Sequence, residues 1–161
     1  NILGPLTNPA GATVQVLGVY DPALTETLAK VLRNLGSKHV FVVHGSDGLD
    51  EITVTNRTYV SELVDGEVRS FTIAPEDFGI SRADISSLAG NTAEENARIT
   101  LGILRGEKGP RRDIVLLNSA AAIVAGGMAA NLAEGIQIAA DSINSGKALE
   151  KLELLKKASK A

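Results

Sequence analysis

Residues 14–44 read VQVLGVYDPALTETLAKVLRNLGSKHVFVVH, and the order of periods within them sets the fold class. Val14 to Tyr20 is β-branched and apolar on both faces, as expected of a strand buried in a parallel sheet. Asp21-Pro22 then opens a helix, with Asp as N-cap and Pro at the first helical position. Leu24, Leu28, Val31, Leu32 and Leu35 recur at helical spacing and predict one buried face, and Gly36 closes the helix. His39 to His44 is a second continuous apolar strand. Strand, capped helix and strand make a βαβ unit, so the expected class is α/β, a mostly parallel sheet with covering helices.

Downstream the pattern changes. Ile52-Thr53-Val54, Thr58 to Val64 and Glu67 to Ile73 alternate like strands, and Asp65-Gly66 is a hairpin turn signal, which predicts a short antiparallel excursion. Pro75 to Ile80 reads as a loop and Ser81 to Ala89 as a weak transition. Thr92 with Glu95 predicts a capping box on a helix that runs to Arg105-Gly106. An Ala-rich, buried helix is expected over Pro110 to Ala125, ended by Gly126-Gly127. Two more follow over Met128 to Ser145 and Ala148 to Lys160, split by Gly146. These closing helices should pack on the sheet and on one another. One domain is expected over residues 1–161, with no linker or repeat.

A chain 44% hydrophobic and 22% charged suits a soluble globular domain, with a core of Leu, Ile, Val and Ala because aromatics are 3% and Trp is absent. The net charge of -3 argues against a nucleic-acid footprint. With zero Cys there is no disulfide framework, iron–sulfur site or thiolate zinc site. No apolar run reaches the roughly 18–20 residues of a membrane span. No signal peptide opens the chain, so the expected compartment is the cytoplasm. Asn56-Arg57-Thr58 fits a glycosylation sequon but reads as an unmodified surface segment in this context.

Chemistry concentrates in Val43 to Glu51, VHGSDGLDE, where a buried strand ends and Asp47, Asp50 and Glu51 follow. Ligands of open α/β sheets gather at the carboxyl ends of strands, where this loop should lie. Oxygen donors without Cys suit a hard cation, and Mg²⁺ takes one or two carboxylates with phosphates and water. Adjacent strand residues face opposite ways, so Asp50 and Glu51 share a site only on irregular backbone, which Gly45 and Gly48 permit. The competing reading is a solvated acidic turn.

Elsewhere the bland readings prevail. The uncharged loop Gly4 to Gly11 is a connector, or a pocket wall where small residues let a planar ligand approach. His39 and His44 flank an apolar strand and read as structural groups. No Ser has a nucleophile-elbow context, so no triad is supportable. Gly102, Gly106 and Gly109 follow no strand, and Gly126-Gly127 lacks the Lys-Ser/Thr of a P-loop. Arg111 and Arg112 read as a solvated helix start.

Several segments together resemble the anthranilate phosphoribosyltransferases. They are the opening Asn1 to Ala10 (N-x-L-G-P-L-x-N-P), His44 to Glu51 (H-G-x-D-G-L-D-E), Asp77-Phe78-Gly79, Asn96-Ala97, and Gly106 to Asp113 with Asn118. The resemblance covers essentially the whole chain. It implies the C-terminal α/β portion of a fold similar to pyrimidine nucleoside phosphorylases, with substrate bound between a small helical and a large α/β domain. It further implies Mg²⁺-dependent displacement of pyrophosphate from phosphoribosyl pyrophosphate by the amine of anthranilate, a committed step of tryptophan biosynthesis.

By that resemblance Asp50 and Glu51 match the paired metal ligands, and Asn8, Pro9, Ala10 and Gly11 match a stretch that borders the anthranilate channel. No residue matches a catalytic nucleophile, and none is needed when the attacking amine arrives with the substrate. The family's glycine-rich phosphoribosyl pyrophosphate loop (G-T-G-G-D), its helical domain and its anthranilate-contacting Arg have no counterpart in these residues. The expectations are therefore a fragment of a larger parent, inactive alone, that partners a missing N-terminal segment in a homodimeric parent. Two alternatives stay open: a non-catalytic, nucleic-acid-binding relative of this fold, and an enzyme like the pyrimidine nucleoside phosphorylases.

Overall fold

The computed structural model describes residues 3–159; Asn1 and Ile2 of the opening motif and Lys160 of the expected last helix lie outside the described residues. The βαβ unit forms as the periods require. β1 (Val14–Gly18) leads through helix α2 (Ala23–Asn34) to β2 (His39–Gly45), and the two strands pair in parallel, Val14 opposite His39 and Gly18 opposite Val43. A short helix, α1 (Leu3–Leu6), precedes them. Asp21 Oδ1 accepts the Ala23 N–H at 2.9 Å, one of the amides a helix start leaves unsatisfied.

β3 (Thr58–Val64) and β4 (Glu67–Ile73) then fold back as an antiparallel hairpin, giving a four-stranded sheet in the order β1-β2-β3-β4. The α/β class holds, but the antiparallel share is larger than expected: one pairing of three is parallel. After β2 the chain makes no second crossover within the described residues; it turns directly into a hairpin, which needs no covering helix to connect its strands. Ile52-Thr53-Val54, expected as a strand, joins no ladder, although all three are almost fully buried.

Apolar residues on both faces of β2 have two different partners. Val40 and Val42 pack with Leu63 against Leu28, Ala29 and Leu32 of α2. Phe41 and Val43 face the other way, with Val60 and Ile73, onto Leu116, Leu117, Ala120 and Ala121 of α4 (Pro110–Ala125). Each buried Leu of α2 contributes about 1.5–3 kcal/mol of transfer free energy. Leu35, expected on the buried face, is 60% exposed, because the helix ends at Asn34 and the chain turns away before that side chain reaches the sheet.

The remaining helices are α3 (Ala93–Leu104), α5 (Leu132–Asn144) and α6 (Lys147–Ala158). Thr92 accepts the Glu95 N–H at 3.2 Å, but Glu95 Oε2 returns to the N–H of Asn91 rather than Thr92, so the capping box closes one residue early. Asn131 caps α5 through the Glu134 N–H at 3.0 Å, which moves that helix start past Met128. No described helix is long and apolar enough to cross a membrane.

Candidate functional site

Gly45 ends β2, and the eight residues His44 to Glu51 carry the chain over the carboxyl ends of β1 and β2. The loop is tight. Gly45 N–H donates to Leu49 O at 2.7 Å and Gly48 N–H to Gly45 O at 2.9 Å, with Gly48 at φ 96, a conformation other side chains rarely adopt. His44 anchors its start: Nδ1 lies 2.7 Å from Val19 O, an acceptor only, so Nδ1–H donates, and the ring stacks on Tyr59. It is buried and tied to backbone, the structural role its position suggested.

The three acids of the loop separate into two kinds. Asp47 is turned inward: Oδ1 accepts the Leu49 N–H at 3.2 Å and Oδ2 accepts the Thr53 hydroxyl at 2.5 Å and the Thr55 hydroxyl. Burial pushes its pKa up, but the bonds from Thr53, Thr55 and Leu49 outweigh that and hold it below the usual 3.8. Asp47 is spent on shaping the loop.

Asp50 and Glu51 are exposed and, among the described residues, form no ion pair. Partial burial raises the Glu51 pKa above its usual value, and the charges of Asp50 and Asp47 add to the shift. This is anionic charge without compensation. Among the described residues no group of three or more His, Cys, Asp or Glu is placed to hold a metal ion. The donor set nevertheless fits a hard cation that takes two protein carboxylates and completes its shell with phosphate and water, as Mg²⁺ does. It does not fit a structural zinc site, which wants His and Cys.

Two contacts, neither assigned a role from the sequence, hold this acid pair. From β1, Gly18 lies so close that a Cβ there would sit 1.6 Å from the carbonyl oxygen of Asp50. A glycine inside a strand pattern is a recognised sign of close backbone approach, so the signal existed. From α4, Asn118 accepts the Ile52 N–H at 3.0 Å and donates to Ile52 O at 2.8 Å and Ile114 O at 2.9 Å. Asn118 is singled out in the sequence only by the resemblance; a lone Asn on an apolar helix carries no local signal of this contact.

Asn8 to Gly11 lie at the opposite end of β1 from the acid pair, before Val14, in a turn where Asn8 Oδ1 accepts the Ala10 N–H at 2.9 Å. The chain therefore does not bring Asn8, Pro9, Ala10 and Gly11 together with Asp50 and Glu51. Arg111 and Arg112 differ from expectation. Arg111 donates to Ser87 O at 3.0 Å and to Ala89 O, while Arg112 is 7% exposed and donates to Asn144 Oδ1 at 2.9 Å. They brace the start of α4 instead of standing in solvent. Beside them a cleft of about 550 Å³ is lined by Arg98, Lys108, Arg111 and Arg112 but also by Glu95 and Glu107, so its charge is mixed with cations in excess.

Known proteins resemble this chain in sequence and fold. The chain is 56% identical over 156 residues to the anthranilate phosphoribosyltransferase of Symbiobacterium thermophilum, an alignment that takes in 97% of this chain and 46% of that protein. The crystal structure of anthranilate phosphoribosyltransferase from Thermus thermophilus superposes with a TM-score of 0.85 at 40% identity, over 94% of this chain and 45% of that one. The Saccharomyces cerevisiae enzyme in complex with PRPP and Mg gives 0.81 at 34% identity, over 94% and 44%. The chain thus spans a little under half the length of the proteins it matches. The pattern of the glycosyl transferase family, a/b domain, matches residues 1–149, and with nearly all of its fold and its acidic loop inside that match the chain belongs to this family.

Proposed function

We propose that these residues form the C-terminal α/β portion of an anthranilate phosphoribosyltransferase, with Asp50 and Glu51 as its protein ligands for Mg²⁺. The supporting observation is the uncompensated acid pair at the carboxyl ends of two parallel strands, on a loop whose third acid is consumed internally. The reaction is transfer of the phosphoribosyl group from phosphoribosyl pyrophosphate to the anthranilate amine, giving N-(5-phosphoribosyl)anthranilate and pyrophosphate in tryptophan biosynthesis. When bound, the cation supplies charge neutralisation for the departing pyrophosphate.

The chain's own residues then have separate tasks. Asp50 and Glu51 hold the ion, since a carboxylate cannot itself approach a polyanion. Asp47, with Thr53 and Thr55, keeps the loop irregular so that neighbouring acids can serve one site. Asn8, Pro9, Ala10 and Gly11 belong to the proposal as substrate contacts at the other end of β1, on a part of the ligand path separate from the ion. The working enzyme of this proposal is a cytoplasmic homodimer whose N-terminal segment supplies the phosphate-binding glycines.

The test is the double substitution Asp50→Asn with Glu51→Gln in the complete transferase, followed by loss of anthranilate fluorescence across a Mg²⁺ titration. Circular dichroism should be unchanged and the Mg²⁺ requirement strongly raised. An unaltered Mg²⁺ dependence removes both residues from the site.

A further inference from the structure

We infer that Asn118 is a positioning residue for the acid pair: its side-chain amide fixes the peptide of Ile52, and through it the direction in which Glu51 and Asp50 present their carboxylates. The inference rests on the reading of those two acids as cation ligands. Its warrant is geometric. Ile52 is the residue directly after Glu51, and both its N–H and its C=O are taken by one side chain, at 3.0 and 2.8 Å, from a helix 66 residues away in sequence.

The second amide hydrogen of Asn118 goes to Ile114 O at 2.9 Å, one turn back on α4. Both donor hydrogens and the oxygen are therefore engaged, which permits a single orientation of the amide. A loop bonded only to itself could slide or rotate as a unit. Asn118 fixes its exit peptide to a helix packed against β1 and β2, so the acids take their bearing from the core. The Ile52 side chain is 1% exposed, in the core cluster that includes Leu117 and Ala121, which holds the same residue in place. Partners of this outer kind typically change metal affinity or activity by about 10–100-fold when removed.

The experiment uses the complete transferase with Asn118→Ala and Asn118→Leu, and Leu117→Ala as a comparison on the same helix. Leu117 is a core residue, 1% exposed, that donates nothing to the loop. Two readouts are taken below the unfolding range: the Mg²⁺ concentration for half-maximal turnover, and Mn²⁺ binding by water-proton relaxation with inorganic pyrophosphate present. Both Asn118 variants should raise both concentrations by about 10–100-fold, with a smaller change in kcat at saturating Mg²⁺. Leu117→Ala should lower stability and leave both unchanged.

Wild-type metal requirements in folded Asn118 variants overturn the inference, as does an equal shift in Leu117→Ala. An Asn118→Ala protein unable to fold makes the residue part of the core and also overturns it. If Asp50→Asn with Glu51→Gln changes neither readout, the reading of the acid pair falls and the role of Asn118 with it. If the double variant shifts both and the Asn118 variants neither, only Asn118 is lost.

Discussion

Replacing Gly18 with alanine places a methyl carbon 1.6 Å from the carbonyl oxygen of Asp50 and 2.6 Å from its carbonyl carbon. Carbon and oxygen rest no closer than about 3.3 Å, so the strand and the loop must separate by about 1.7 Å. The clash is with backbone on both sides, which leaves no rotamer to absorb it. Overpacking costs about 1–3 kcal/mol, occasionally more, and this case belongs at the upper end. With an m-value of about 2 kcal/mol/M, about 3 kcal/mol lowers the urea midpoint by roughly 1.5 M. The displacement falls on the residue that carries a proposed ligand, and a misplacement of about 1 Å can cost about a hundredfold in rate. The assay pairs urea unfolding with Mg²⁺-dependent loss of anthranilate fluorescence in the complete transferase. Gly4→Ala is the control, because a Cβ there meets nothing within 4 Å. If Gly18→Ala behaves like Gly4→Ala in both measurements, the close approach of loop and strand is not a feature of the protein.

Leu32→Ala should cost about 2–5 kcal/mol, while Leu35→Ala, on an exposed side chain, should stay within about 0.5 kcal/mol; equal losses in urea unfolding would contradict the burial of α2. Asp47→Asn tests the loop by pH. The folded pKa of Asp47 lies below 3.8, so its contribution to stability is present above that value and is lost as pH falls through the depressed one. The gap in urea midpoint between wild type and Asp47→Asn should therefore be full at neutral pH and close in acid, and a gap just as wide well below the depressed pKa would refute it. Finally, the 161-residue chain mixed with Mg²⁺, phosphoribosyl pyrophosphate and anthranilate should show no turnover, whereas adding the N-terminal segment that the proposed function assigns to the complete transferase should restore it; comparable rates in both mixtures would sink the proposed division of the site.

The βαβ unit is legible in the sequence because its signals are local: apolar runs, an Asp-Pro start and a Gly stop all act within a few residues. The hairpin is equally plain, Asp65-Gly66 falling between β3 and β4, with Asp65 at φ 52. Ile52-Thr53-Val54 misleads for a physical reason. β-branched residues report burial as readily as pairing, and these are buried beneath α4 and the loop instead of in a ladder. Leu35 fits the helical period, yet periodicity cannot say where the chain will turn. In the site, the acid loop stands out by composition, but the division of labour between Asp47 and the Asp50–Glu51 pair depends on where Thr53 and Thr55 fold back. Asn118 enters the sequence reading only through the resemblance; its contact with Ile52 is beyond reach because that partner is distant in sequence and its own neighbourhood is an ordinary buried helix.

That distance has a kinetic meaning. β3 and β4 are joined by a tight turn and β2 and β3 by residues 46–57, spans far shorter than the 66 residues closed by the bond from Asn118 to Ile52. Contacts across long spans form late, because the entropy of closing the loop must be met first. With Asn118 in the positioning role inferred above, the acids of the loop are present early but acquire their orientation only when α4 docks. A cation that needs both of them in register recognises the docked chain and not its precursors. Under the proposed assignment of Asp50 and Glu51, Mg²⁺ would then report completed folding: it would add to stability by mass action, in proportion to the logarithm of its concentration over its dissociation constant, without hastening the chain's arrival there.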